Sequence, residues 1–313
     1  MSAPTSKFVR IHTSTLIADL PLQFDVFLKL GDKHIHYLRQ SESVEMDRLK
    51  RLRTKKVKHL FIPTEMEAEY QKFLDRGLDL LKKKKDIPVE LKSQMLIGQS
   101  KAASQGMFDD PTKKENFTRA QDVVGVQVEH LIKNPAALEQ MLKLENFDKT
   151  VYQHCVNVST IAVGLAHFLG APENVCQVVG TGALMHDMGK AKLGLDKLLP
   201  GAKLTPDQEE KMRQHPRAGC EDLQDKKYIS KDVLDIILLH EERIDGKGYP
   251  AGVKKLDQIF QVVGLANMFD RMVTYESKTP REAYEAIAKM DPPPYDKDLI
   301  AGLKDVLVTN KML

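Results

Sequence analysis

Three absences narrow the class of this 313-residue chain before any motif is considered. Cysteine is scarce: Cys155, Cys176 and Cys220 are the only three, too scattered for a disulfide framework or a paired-cysteine zinc knuckle. Long apolar runs are missing as well. No stretch approaches the roughly eighteen consecutive apolar residues of a membrane-spanning helix, and the opening MSAPTSKFVR lacks the apolar segment of a secretory leader. Net charge is nearly absent, because 47 Lys and Arg offset 44 Asp and Glu to leave +3. A surface so balanced creates no field demanding a nucleic-acid polymer. The expectation is a cytoplasmic protein with no membrane insertion. What is present is a globular composition, 42% hydrophobic and 29% charged, and ten histidines against the three cysteines.

The chain reads as a mainly α protein with a small α+β module at its N-terminus. In residues 1–63, Lys7–Ile17, Phe24–Leu30 and His34–Arg39 are short runs rich in Phe, Val, Ile and Tyr. Gly31-Asp32-Lys33 reads as a hairpin turn between the last two. Ser43–Val57 has amphipathic helical spacing, and His59–Ile62 is a strand closed by Pro63. Residues 64–145 read as a helical connector. It begins with a helix over Thr64–Lys85 whose Lys82–Lys85 run reads as a solvated helix end, the alternative being contact with an anionic partner, followed by a polar stretch containing Gly98, Gly106 and Pro111. Residues 146–313 carry helical periodicity with short connections, as in a compact bundle.

Four histidines in this last region sit where ligands make sense. His154 lies on a helix over Lys149–Leu169, on the same face as Val151, Val158 and Ile161. His186-Asp187 closes an apolar helix, Glu173–Met188, and precedes Met188-Gly189-Lys190. Thr205-Pro206-Asp207-Gln208 has capping-box spacing, and the helix it starts is expected to end near His215-Pro216, since a residue before proline favours extended geometry. His240 shares a face with Val233, Ile236 and Ile237, ahead of the glycine-punctuated loop Gly246, Gly248, Tyr249, Pro250. Singly, each has a bland alternative: a packed core histidine at 154, a helix-dipole partner at 215. Together, intervals of 32, 29 and 25 residues suit one ligand per helix of an antiparallel bundle, the arrangement in which bundles build di-metal sites. Nitrogen and oxygen donors suit Fe, Mn or Zn, and a close metal pair suits hydrolysis at phosphorus.

His186-Asp187 with Lys190, His215-Pro216 with Gly219, and His240 through Asp245-Gly246, Gly248, Tyr249 and Pro250 resemble the HD-GYP family. The stretch from Lys197 to Thr205 and the later Tyr295-Asp296 extend the likeness over residues 146–310. The resemblance implies an HD-type helical bundle that hydrolyses cyclic di-GMP to pGpG or GMP at a centre of two divalent ions, Fe or Mn. Carried over by position, His154, His186, Asp187, His215 and His240 match metal ligands, with Asp187 the bridge. Lys190 matches a lysine beside the metals that stabilises phosphate or nucleophile. The loop with Gly246, Gly248 and Tyr249 would shape the substrate mouth, where Arg243 is either a phosphate contact or a structural ion pair. The likeness also allows a diguanylate cyclase or other signalling protein as partner, and a homodimer.

Four positions depart from the family pattern. Glu241 replaces a second histidine after His240, and Asn267 replaces the ligating aspartate of an Asp-x-x-Asp pair ending in Asp270. Thr150 replaces the glutamate of three-metal members, which argues for two metals. No family-like substrate arginine segment is recognisable in Arg271–Arg281. Glu241 and Asn267 remain candidate ligands through their oxygens. The alternative to an enzyme is a divergent domain of little or no activity that binds cyclic di-GMP or a protein partner.

Overall fold

The computed structural model describes residues 7–84, 86–143, 148–196, 198 and 203–313. Lys85 of the lysine run, the boundary at 146, and Lys197 and Leu199–Gly201 of the motif stretch lie outside the described residues. The chain divides into two compact units, Met1–Ala102 and Ala103–Leu313.

The first unit is built on four strands, β1 (Phe8–His12), β2 (Val26–Leu30), β3 (Lys33–Leu38) and β4 (His59–Pro63), in the antiparallel order β1-β4-β2-β3. Helix α1 (Met46–Thr54) precedes β4, and α2 (Glu67–Lys83) follows it. Alternation along the strands sends Ile11, Val26, Leu38, Leu60 and Ile62 to a buried face. That core is completed by Leu49 and Leu52 of α1 and Phe73, Leu74 and Leu78 of α2, with Phe24 edge-on to Phe73 at 5.5 Å.

The polar stretch expected after α2 is instead helical. α3 runs over Val89–Asp109 and contains both Gly98 and Gly106. Its Ser, Gln and Gly content reads as loop, yet Ser93, Gln99, Ser100 and Ser104 are buried. The small residues permit a close approach: a Cβ at Gly98 would stand 2.1 Å from the Ser14 carbonyl oxygen. Tertiary packing overrides the weak local propensity here.

The second unit holds α4 (Lys114–Lys133), α5 (Ala137–Lys143), α6 (Val151–Phe168), α7 (Glu173–Met185), α8 (Gly189–Lys192), α9 (Pro206–Glu221), α10 (Lys231–Leu239), α11 (Gln258–Thr274), α12 (Pro280–Ala288) and α13 (Lys297–Thr309). α6 is the central post and packs against α4, α5, α7, α11 and α13. Thr150 is its N-cap, accepting from the Gln153 N–H, so the residue that departs from the family's glutamate starts the helix that carries His154. The Thr205–Gln208 capping box forms with both reciprocal bonds. α9 does not stop at Pro216, however. It continues to Glu221 with the proline inside it. Among the described residues no helix is long and apolar enough to cross a membrane.

Candidate metal centre

Five of the sequence-derived ligands converge in one buried place. His154 comes from the first turn of α6, His186 and Asp187 from the end of α7, His215 from the middle of α9, and His240 from the end of α10. Each is at most 1% exposed. Their donor atoms form two groups of three, His154–His186–Asp187 and Asp187–His215–His240, with all atoms of a group within 4.8 Å of one another.

Asp187 belongs to both groups because its two oxygens face opposite ways. Oδ2 lies 3.5 Å from His186 Nε2 and 3.7 Å from His154 Nε2, whereas Oδ1 lies 3.1 Å from His215 Nε2 and 3.7 Å from His240 Nε2. Lys190, one turn on, places Nζ 2.5 Å from Oδ2. Burial alone would raise the Asp187 pKa, but the Lys190 ammonium and then His186 outweigh it and hold the carboxyl well below its usual range.

The imidazoles are oriented by backbone carbonyls that have lost their helical donors. His186 Nδ1 lies 2.7 Å from the Ala183 carbonyl, and His240 Nδ1 lies 2.8 Å from that of Ile237, both in the last turn of a helix where such oxygens are unpaired. His215 is mid-helix and cannot use that device. There Pro216, lacking an N–H, leaves the Met212 carbonyl without its i+4 donor, and His215 Nδ1 takes it at 2.5 Å. This is why the helix tolerates the proline. A carbonyl only accepts, so all three Nδ1 atoms carry hydrogen and each ring turns Nε2 inward, the atom left to ligate when the ring is neutral. His154 is oriented by a side chain instead: its Nδ1 donates to Asp270 Oδ2 at 2.6 Å, and Asp270 also accepts from Asn157 and Thr274.

This donor set fits metal ions. His215 Nε2 and His240 Nε2 face one another at 2.9 Å with both other nitrogens committed, a contact that requires positive charge between two lone pairs. His186 Nε2 and Asp187 Oδ1 are buried without a hydrogen-bond partner. Neighbouring ligands about 2.1 Å from one ion stand roughly 3.0 Å apart at right angles and roughly 3.4 Å apart at tetrahedral ones, against the 2.9 Å and 3.1 Å seen here. Burial pushes His240 down to about 4 and lowers His154, which keeps both rings neutral and able to ligate. His186 is also disfavoured as a cation by burial, yet Asp187 holds it well above its ordinary value, so the local field favours positive charge at this spot.

The other expected site residues are arranged around this centre. Asn267 places Oδ1 3.1 Å from His154 Nε2. Glu241 sits at the edge, 3.9 Å from His240 Nε2 and 3.4 Å from the Arg271 guanidinium. Burial would raise its pKa, but Arg271 and the neighbouring imidazoles hold it at about 2. Tyr249 stands beside the cluster, its ring 6.3 Å from that of His215. Arg243 is paired in a forked contact with Asp245 of its own loop. Gly246 has a positive φ, +75°, and Gly248 lies so close to the chain that a Cβ would come within 2.4 Å of the Arg243 nitrogen.

Several contributors had no distinct sequence signal. Glu242, fully buried, accepts the N–H groups of Ala251, Gly252 and Val253 and so braces the loop. Tyr275 brings its ring to 5.2 Å from His154. Arg271, the ion partner of Glu241, lies in the segment where no substrate arginine is recognisable. Asp270, by contrast, was legible in the sequence as the end of the Asp-x-x-Asp-like pair that begins at Asn267.

Comparison with known proteins agrees with this geometry. The HD domain family matches residues 125–299 of the chain. A solved HDG"Y"P protein from Bdellovibrio bacteriovorus superposes with a TM-score of 0.81 at 30% identity, covering 96% of this chain and 99% of that one. The chain belongs to the HD-domain family, in its HD-GYP branch. Among curated relatives, a cyclic di-GMP phosphodiesterase of Pseudomonas aeruginosa is 30% identical over 201 residues, 63% of this chain and 49% of its own length. One from Thermotoga maritima is 30% identical over 186 residues, 58% of this chain and 48% of its own length. The chain therefore spans about half the length of these curated relatives.

Proposed function

We propose that this HD-GYP chain is a metal-dependent phosphodiesterase that hydrolyses cyclic di-GMP, adding water across a P–O3′ bond to release linear pGpG and then GMP. The observation that carries the reading is the divided carboxylate of Asp187, one oxygen toward His154 and His186 and the other toward His215 and His240. The activity of the named relatives supports the same substrate. His154, His186 and Asp187 would hold one divalent ion and Asp187, His215 and His240 the other. Nitrogen and carboxylate donors suit Fe or Mn. When bound, the ions supply Lewis acidity toward water and the phosphoryl oxygens.

The chain's own residues position and balance charge. Lys190, with its side chain 12% exposed beside Asp187, is placed to neutralise charge on a phosphoryl oxygen. Lys190→Ala should therefore retain metal and lose about 10²–10³-fold in kcat; equal kcat in a metal-matched comparison contradicts this role. Pro216→Ala restores a backbone donor to Met212 and releases His215 Nδ1. We expect about 10–100-fold weaker metal binding by chelator competition, with stability unchanged or raised by about 1 kcal/mol because a helix-interior proline is removed. Unchanged metal affinity would show that the proline-freed carbonyl does not orient His215.

The direct test loads the protein with Fe(II) or Mn(II) under reducing conditions and follows cyclic di-GMP by chromatography. The proposal expects metal-dependent appearance of pGpG. A second reading, a domain that binds cyclic di-GMP without turning it over, is favoured by one observation: neutral Asn267 meets His154 while Glu241 is engaged by Arg271. Binding with no product in either metal supports that reading and overturns the enzymatic one.

A further inference from the structure

The N-terminal sheet has a second face that the metal centre does not use. Helices α1 and α2 complete the core on the face that holds Ile11, Val26, Leu60 and Ile62, and the alternate residues of each strand point the other way. Strand register sets these in a row across all four strands: Arg10 opposite Phe61, Phe61 opposite Phe27, and Phe27 opposite His36. Three strand intervals of about 4.8 Å make the row about 14 Å long. Phe8 and His34 widen it. His34 lies flat on Phe8 at 4.0 Å and meets Phe61 edge-on at 4.9 Å, while Phe27 meets Phe8 and His36 edge-on at 5.1 and 4.9 Å. The three phenylalanines are half-buried rather than enclosed.

The charge of this face is of one sign. None of the four strands contains an Asp or Glu, and Arg10 and Lys29 stand exposed among the rings. Neither cation joins an ion pair among the described residues. At the margin, Asp25 is engaged by His36 at 3.2 Å. Residues 7–63 hold twelve Lys and Arg against six Asp and Glu, a local excess that the near-neutral total of the chain conceals. Aromatic rings interleaved with cations, on a sheet backed by helices, match the chemistry of a single nucleic-acid strand: bases stack on the rings while phosphates pair with Arg and Lys. An acidic peptide would satisfy the cations but not the rings. Duplex RNA, with its bases already stacked, would likewise reach only the cations.

We infer that the open face of the N-terminal sheet binds single-stranded RNA, with two or three nucleotides along the row from Arg10 to His36 and bases on Phe61 and Phe27. This is a second binding activity, independent of the metal centre and of the hydrolysis proposed there.

The test is fluorescence anisotropy of a labelled single-stranded RNA octamer titrated with the full chain at several salt concentrations. Wild type should bind with Kd of roughly 1–100 μM. Phe27→Leu keeps the apolar bulk and removes the ring, and should weaken binding about tenfold. The double variant Arg10→Ala with Lys29→Ala, both exposed positions, should lower the slope of log affinity against log salt by about 1.4, as for two phosphate contacts on a single strand. No wild-type binding at about 100 μM protein overturns the inference. So does equally tight binding of duplex RNA or of polyglutamate, which makes the face a charge contact alone. Variants that bind like wild type but melt at lower temperature would assign the rings to stability only. A wild-type dimer in sedimentation that Phe27→Leu dissociates would give the face to a second copy of the chain, and also overturns it.

Discussion

Asp187→Ala is expected to bind neither metal ion and to lose about 10⁴-fold or more in cyclic di-GMP hydrolysis. The size follows from where the carboxylate sits. Its two oxygens face both halves of the centre, so one truncation removes a ligand from each. A pair of ions lowers the barrier at phosphorus by several kcal/mol, and each 1.36 kcal/mol is tenfold in rate. The truncation also leaves the mostly shielded Lys190 ammonium without the anion that balances it, at a cost of up to about 3–5 kcal/mol. Asp187→Asn, which keeps the volume, separates the effects: it should fold like wild type by circular dichroism and still lose metal. Either variant with full metal content and full rate would show that Asp187 is not the shared ligand.

A large loss of stability through backbone overpacking is expected from Gly189→Ala. Gly189 opens α8, where the chain runs against α9. An added Cβ would stand 2.0 Å from the His215 carbonyl oxygen and 2.6 Å from the Gly219 nitrogen. Both are backbone atoms, so no side chain can swing away, and α8 and α9 must separate. Such overpacking costs about 3 kcal/mol, equivalent to a fall in melting temperature of roughly 6–12 °C for a domain of this size. The same movement displaces His215 and Lys190, so metal affinity should fall with stability. A thermal melt matching wild type would mean that the two helices can part without cost.

These two positions show what kind of information the sequence carried. Asp187 was legible because metal ligation restricts residue type and spacing: His154, His186, Asp187, His215 and His240 were all readable, and the structure brings all five together. The Thr205–Gln208 capping box was legible because it depends on contacts only three residues apart. The path of α9 through Pro216 was not. The local rule for proline ends a helix, and what overrides it is the His215 side chain occupying the freed Met212 carbonyl. Likewise α3 was obscured by its Ser, Gln and Gly content, because the close approach to Ser14 that makes small residues useful there is a tertiary fact. The contributions of Glu242 and Arg271 depend on loop closure and on the approach of α11, neither of which leaves a periodic trace.

The Arg271–Glu241 pair bears on how far the centre has diverged. Glu241 is ionised through a wide pH range, held at about 2 with Arg271 beside it. A negative carboxylate at a position where the family has a neutral imidazole is partly offset by that guanidinium. The exchange of Asn267 for a ligating aspartate removes one negative charge, so the two departures oppose one another in the charge presented to the ions.

Metal stoichiometry tests the central claim most directly. Elemental analysis of the protein, purified and then reconstituted with Fe(II) or Mn(II) under reducing conditions, should find two ions per chain. Finding none after reconstitution would contradict the metal centre and the hydrolytic function built on it.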